Sequence, residues 1–180
     1  LARYVLWQIK SRIQKEVVFQ WIGGAKLVVR NGMTGATGNV YCGLHEFADM
    51  AFVLHLVQPD DLFVDAGANV GTFTILAAKV CGAKVFAVEP DPSTLSALRR
   101  NIDVNIVGTQ VRTEECALGA EDGFARFTTG KDTTNRVANP EDVNVQTVAL
   151  RRIDSLLDEG EAPLMLKIDV EGYEDEVLFG

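Results

Sequence analysis

The sequence predicts an α/β protein with a Rossmann-like, mostly parallel sheet and flanking helices. Three stretches carry that expectation. Leu62-Phe-Val-Asp-Ala66 is a short apolar run, broken by Gly67 and Gly71 and followed by a helical pattern. Ala83-Lys-Val-Phe-Ala-Val88 is a second apolar run, ending in Glu89-Pro90. Leu164-Met-Leu-Lys-Ile-Asp169 is a third. Runs this uniform suit strands buried on both faces, as in parallel sheets covered by helices. Their alternation with helical patterns argues a doubly wound sheet with right-handed crossovers.

The elements follow in order. Residues 1–15 mix Tyr4, Trp7, Ile9 and Ile13 with Arg3, Lys10, Arg12 and Lys15. The spacing predicts a helix packed on the domain surface, and its basic side leaves contact with an anionic membrane as the alternative. Glu16–Ile22 and Ala25–Arg30 flank Gly23-Gly24, a hairpin signal. Asn31 to Gly43 is rich in Gly, Thr and Asn and reads as a loop. Residues 1–43 are therefore an N-terminal extension, and 44–180 the main domain. Leu44 to Val57 reads as a helix with Phe47, Met50, Val53, Leu54 and Val57 on one face.

After the first central strand, Thr72 to Val80 is a crossover helix closed by a left-handed cap at Gly82. Asp91 to Asn105 is a second, capped by Asp91 or Ser93, with Leu95, Leu98 and Ile102 facing the sheet. Gln110 to Cys116 is a third strand. Gly123–Thr128 and Val143–Ala149 alternate with period two and flank a polar loop, Thr129 to Asp142, of a length that is often functional. A short helix at Ile153–Leu157 precedes the fourth central strand, and another begins after Val170.

Bulk composition narrows the partners. The 180 residues carry 17 basic and 25 acidic side chains, a formal charge of −8, which argues against a nucleic-acid backbone as the main partner. Cys42, Cys81 and Cys116 form no CxxC pair, so no zinc ribbon is expected; they read as small buried hydrophobes in a reducing, cytoplasmic setting. No apolar run reaches the ~18 residues that span a bilayer.

The first strand-turn-helix has the form of a cofactor site. A glycine turn lets backbone approach a ligand closely. The dinucleotide pattern is GxGxxG, but here Asn69 replaces the middle glycine, and Asp65 sits at the strand end where a pyrophosphate would be repelled. Both suit a zwitterion with an ammonium and a sulfonium, S-adenosyl-L-methionine. Asp65 would serve the ammonium, and the Gly67 backbone the carboxylate. Glu89, 22 residues after Gly67, is placed to accept from both ribose hydroxyls. The alternatives are an NAD-dependent oxidoreductase and a non-catalytic cofactor-binding or assembly module.

Phe63–Thr74, Val88-Glu-Pro-Asp-Pro92, Ala117-Leu-Gly119 and Leu166-Lys-Ile-Asp-Val-Glu-Gly-Tyr-Glu174 together resemble the FkbM family of S-adenosylmethionine-dependent methyltransferases, over residues 44–180. The resemblance implies a class I methyltransferase fold and O-methylation of a sugar, glycan or natural-product hydroxyl. It implies that Asp65, Gly67, Asn69 and Gly71 hold the methionine part, that Glu89 holds the ribose, that Cys116 and Ala117 lie beside adenine, and that Ala66 and Pro90 also contact the cofactor. It also implies that Glu46 closes the site.

Lys167 and Asp169 are two apart on a strand and share a face, with Glu171 just past its end. Burying such groups unpaired costs several kcal/mol, so they pair with each other or serve a ligand. Asp169 is expected against the cofactor or acceptor. Asp169, Glu171 and His45 are the candidate bases, and no metal is expected. The class I sheet implied by the resemblance has further strands after the fourth. The chain therefore reads as truncated there, with an open apolar edge available for oligomer formation and a weaker, less active fragment expected.

Overall fold

The computed structural model describes residue 7 and residues 12–30, 33–130 and 134–180. The helix expected over residues 1–15 lies largely outside them; Trp7, Arg12 and Ile13 are helical, and Trp7 is buried. Strands β1 (Val17–Gln20) and β2 (Lys26–Val29) form the expected antiparallel hairpin. Gly23 and Gly24 both have positive φ, which the tight turn requires.

Residues 33–43 depart from the expected loop. Helix α1 spans Thr34–Cys42, although Gly, Thr and Asn are poor helix formers. Packing overrides propensity: Ala36 and Val40, one turn apart, are fully buried. Gly38 lies against the His45 ring, where a Cβ would come within 2.5 Å. Buried Asn39 accepts from the His45 backbone N–H at 3.0 Å. Helix α2 (Phe47–Leu56) buries Met50 and Val53, and Val57 follows them into the core. Phe47 is 70% exposed, so the apolar face is narrower than its sequence predicts.

Strand β3 (Leu62–Ala66) runs into α3 (Thr72–Ile75), which continues as a π-helical segment, Leu76–Cys81, and closes at Gly82 with φ 79°. Strand β4 (Lys84–Val88) leads to α4 (Pro92–Asn105), whose cap is Asp91, accepting from the Thr94 N–H at 2.8 Å. Leu95, Leu98 and Ile102 are buried as expected. Two buried asparagines bind α4 to neighbouring elements. Asn101 accepts from Val28 N–H at 2.7 Å and donates to Val70 O at 2.8 Å. Asn105 pairs with both backbone groups of Lys26 at 2.8 Å.

Strand β5 (Val111–Glu114) ends two residues before the expected boundary. Cys116 turns inward to pack with Val64, Val88 and Leu118, and Ala117–Leu118 becomes β6 of a second sheet. That sheet has the order β6-β8-β7, with β7 at Gly123–Thr128 and β8 at Val145–Arg151. A 3₁₀ turn (Ile153–Ser155) leads to β9 (Met165–Ile168) and α5 (Glu174–Leu178).

The central sheet is fully parallel in the order β5-β4-β3-β9. β3 and β4 are buried on both faces, as their composition predicts. β9 is not: Leu166 is 36% exposed, and Leu164 just before the strand 47%, because among the described residues β9 pairs only with β3. The cysteines also differ from expectation, since Cys116 is buried, Cys81 half-buried and Cys42 exposed. No helix among the described residues is long and apolar enough to cross a membrane.

Candidate active site

A parallel sheet gathers its ligand groups at the carboxyl ends of its strands. Here those ends, together with the approach to α2 and the second sheet, enclose a cavity of about 280 Å³. His45, Glu46, Gly67, Asn69, Glu89, Pro90, Cys116, Ala117, Asp169 and Glu171 all line it. Asp65, Ala66 and Gly71 do not: the first two are fully buried in β3 beneath the turn, and Gly71 is the left-handed N-cap of α3, packed on Leu98.

The glycine turn is shaped by close approach. Gly67 has φ 73°, and a Cβ on it would stand 2.0 Å from the Asp169 carbonyl oxygen. The turn's amides are spent internally. Gly67 and Ala68 N–H donate to Val88 O, Asn69 N–H to Glu89 Oε2, Val70 N–H to Asn69 Oδ1, and Gly71 N–H to Ala68 O. The Gly67 N–H therefore does not await a cofactor carboxylate, contrary to the sequence expectation. Every turn amide from Gly67 to Gly71 is thus paired within the chain.

Glu89 presents a carboxylate instead. It is 6% exposed, and its two oxygens accept from Asn69 and Asp91 N–H, each at 2.9 Å. Burial raises its pKa to about 7 against the opposing pull of those two bonds, with Asp91 and Asp65 adding like charge. Each oxygen keeps a second lone pair, enough for the two hydroxyls of a ribose.

At the opposite wall, β9 places Lys167 directly beside Asp65 in register. The Lys167 ammonium lies 3.3 Å from Asp65 Oδ1 and 3.5 Å from Asp169 Oδ2, and donates to Gly67 O at 3.1 Å. Asp65 also accepts from Thr74 Oγ1 at 2.6 Å. Burial opposes the charge on Lys167, but Asp65 and then Asp169 outweigh it, and its pKa is raised. Glu46 is raised by burial and by Asp169, with Lys167 pulling the other way. Glu171 is raised by burial, then by Asp169 and Glu174. Its backbone has φ 57°, in the left-handed region, and Gly172 follows with φ 88°.

Residues outside the sequence-based candidate set complete the walls. Phe127, Asn135 and Val137 come from the β7–β8 excursion, whose length flagged it, and Val137 bridges to Phe127. Tyr173 lines the same cavity. The chemistry fits S-adenosylmethionine: a carboxylate for the ribose, apolar walls from Leu118, Phe127 and Val137 for a purine, and acids for an ammonium. Among the described residues no group of three or more His, Cys, Asp or Glu could hold a metal ion.

The chain is 32% identical over 151 residues to Methyltransferase 1 of Beauveria bassiana, covering 68% of this chain and 59% of that protein. It is 32% identical over 134 residues to the hexuronic acid methyltransferase AglP of Haloferax volcanii, covering 71% and 53%. It is 30% identical over 171 residues to the 31-O-demethyl-FK506 methyltransferase FkbM of Streptomyces tacrolimicus, covering 74% and 65%. The chain thus spans between about half and two thirds of these relatives' lengths. Among solved structures, P. horikoshii TYW2 in complex with MeSAdo is 25% identical with a TM-score of 0.47, over 57% of this chain and 36% of that one. The family profile described as the methyltransferase FkbM domain matches residues 65–180, from the buried Asp65 through the Lys167–Glu174 motif, and the chain belongs to that family.

Proposed function

We propose that this domain binds S-adenosylmethionine in the cavity and methylates a hydroxyl of a sugar-containing or natural-product acceptor. One observation carries the cofactor reading. The cavity presents the twice-anchored Glu89 carboxylate for a ribose and the Glu46 and Asp169 carboxylates for an ammonium, which suits a ribose-bearing cation. Two relatives support the acceptor class, one named for a hexuronic acid and one for the 31-O position of FK506.

When bound, S-adenosylmethionine supplies an electrophilic methyl group on its sulfonium. Glu89 fixes the ribose, and Leu118, Phe127 and Val137 exclude water from the purine end. Holding both reactants in place lowers the barrier by on the order of 7–11 kcal/mol. Of the three candidate bases, Glu171 is the best placed. It lines the cavity on a left-handed backbone, and its raised pKa strengthens it as a base. It would take the proton that the acceptor's hydroxyl loses on methylation. Asp169 is tied to Lys167, and the His45 ring packs on Gly38.

Transfer of labelled methyl from S-adenosylmethionine to a panel of neutral sugars, uronic acids and macrolide alcohols tests the proposal. Label in a hydroxyl-bearing acceptor, absent with Glu89→Ala, supports it. Label confined to amine or thiol acceptors overturns the hydroxyl assignment.

A further inference from the structure

The sequence casts Asp65 as the acid that meets the cofactor's ammonium group, but in the fold a resident ammonium already occupies that place. Asp65 is 0% exposed and does not line the cavity. Its Oδ2 takes the Thr74 hydroxyl. Its Oδ1 has no well-directed hydrogen bond, and its partner is the Lys167 ammonium at 3.3 Å. The same ammonium reaches the Gly67 carbonyl at 3.1 Å and Asp169 Oδ2 at 3.5 Å, and stands 5.2 Å from the Phe73 ring centroid. Both residues line the cavity, but the Lys167 side chain is only 14% exposed, whereas that of Asp169 is 56% exposed.

We propose that Lys167 is a positioning residue for the amino-acid end of the cofactor, aiming Asp169 at the cofactor's ammonium while Asp65 acts from below as the counter-ion of Lys167. This rests on the cofactor reading given above. Three features of the site fit it. The charge is unbalanced: Asp65, Asp169 and Glu46 face one lysine, and a second cation between Asp169 and Glu46 would relieve their repulsion. The lysine is held by three partners at once, Asp65, Asp169 and the Gly67 carbonyl. Its bond to Gly67 O also ties the glycine turn to the end of β9, where Gly67 already lies against the Asp169 backbone.

The test compares two ligands on four proteins by calorimetry. S-adenosylhomocysteine carries the amino-acid end, and 5′-methylthioadenosine lacks it. The proteins are the wild type, Lys167→Met, the charge-balanced pair Lys167→Met with Asp65→Asn, and Lys167→Arg. The balanced pair removes the cost of a buried unpaired acid, so it separates folding from positioning. The expected result is that the balanced pair melts within a few degrees of the wild type and binds 5′-methylthioadenosine as the wild type does. Its affinity for S-adenosylhomocysteine should fall about tenfold or more, the scale of a lost hydrogen bond to a charged group. Lys167→Arg should recover part of that loss. Equal losses for both ligands would show a general structural role and overturn the proposal, as would unchanged S-adenosylhomocysteine affinity in the balanced pair. A wild type that binds neither ligand would instead overturn the cofactor reading on which the proposal stands.

Discussion

Glu89→Gln is the most informative single change, because the same carboxylate controls stability and the proposed ribose contact. In the fold its pKa is about 7, against an ordinary 4.5, with burial as the largest cause. Below pH 4.5 the carboxyl is protonated whether the chain is folded or not, and it contributes nothing to pH dependence. Between 4.5 and about 7 the unfolded chain has lost the proton and the folded chain keeps it, so stability falls as pH rises. Above about 7 both forms are ionised and the full penalty stands. The gap between the two pKa values corresponds to about 3 kcal/mol. At roughly 2–4 °C per kcal/mol for a domain of this size, that is a melting shift of roughly 6–12 °C between pH 4.5 and 8. Glutamine cannot accept from both Asn69 and Asp91 N–H with both side-chain atoms, so Glu89→Gln loses one bond. That loss is the same at every pH and cancels in the comparison of slopes. Thermal melts of both proteins from pH 4.5 to 8 check this. The wild type should lose stability relative to Glu89→Gln as pH rises. Parallel curves would refute the reasoning that Glu89 is held protonated by burial.

Other expectations follow from the same geometry. Affinity for S-adenosylhomocysteine should weaken as pH falls below about 7, by up to about tenfold per unit, because the ribose hydroxyls favour the ionised Glu89 carboxylate; Glu89→Gln should bind weakly with a flat profile. Glu171→Gln should lower kcat by about 10²–10⁴-fold while leaving S-adenosylhomocysteine affinity close to wild type, and steady-state kinetics beside calorimetry separate the two effects. Asn101→Ala should cost about 2–4 kcal/mol in urea melts, because it orphans the buried Val28 N–H and Val70 carbonyl together. Iodoacetamide at pH 8 should label exposed Cys42 first, while buried Cys116, its thiol pushed up to about 12 mainly by burial, resists; mass spectrometry of digests reads the order.

What the sequence made legible was whatever local pattern determines alone. β3 and β4 are apolar because both faces are covered, and Gly23-Gly24, Gly82 and Asp91 mark turns and caps through their own backbone chemistry. That Glu89, Asp169 and Glu171 would line one cavity was legible because residue type and strand position together restrict their surroundings. Helix α1 was not legible, since its poor helix formers are held by burial of Ala36 and Val40 in a core whose other members, such as Phe63, Phe73 and Leu98, lie far along the chain. The end of β5 was misplaced because Cys116 looks like a strand residue until the core of Val64 and Val88 draws it inward. Asp65 was assigned to the ligand because sequence shows it at a strand end, and only the register with Lys167 shows that its partner is already within the chain.

The most direct measurement is calorimetric titration of the protein with S-adenosylhomocysteine and, separately, with NAD at pH 8. Saturable one-site binding of S-adenosylhomocysteine, lost in Glu89→Ala and absent for NAD, is the expected result. Binding of NAD with no binding of S-adenosylhomocysteine would contradict the assignment of this cavity to a methyl-donor cofactor.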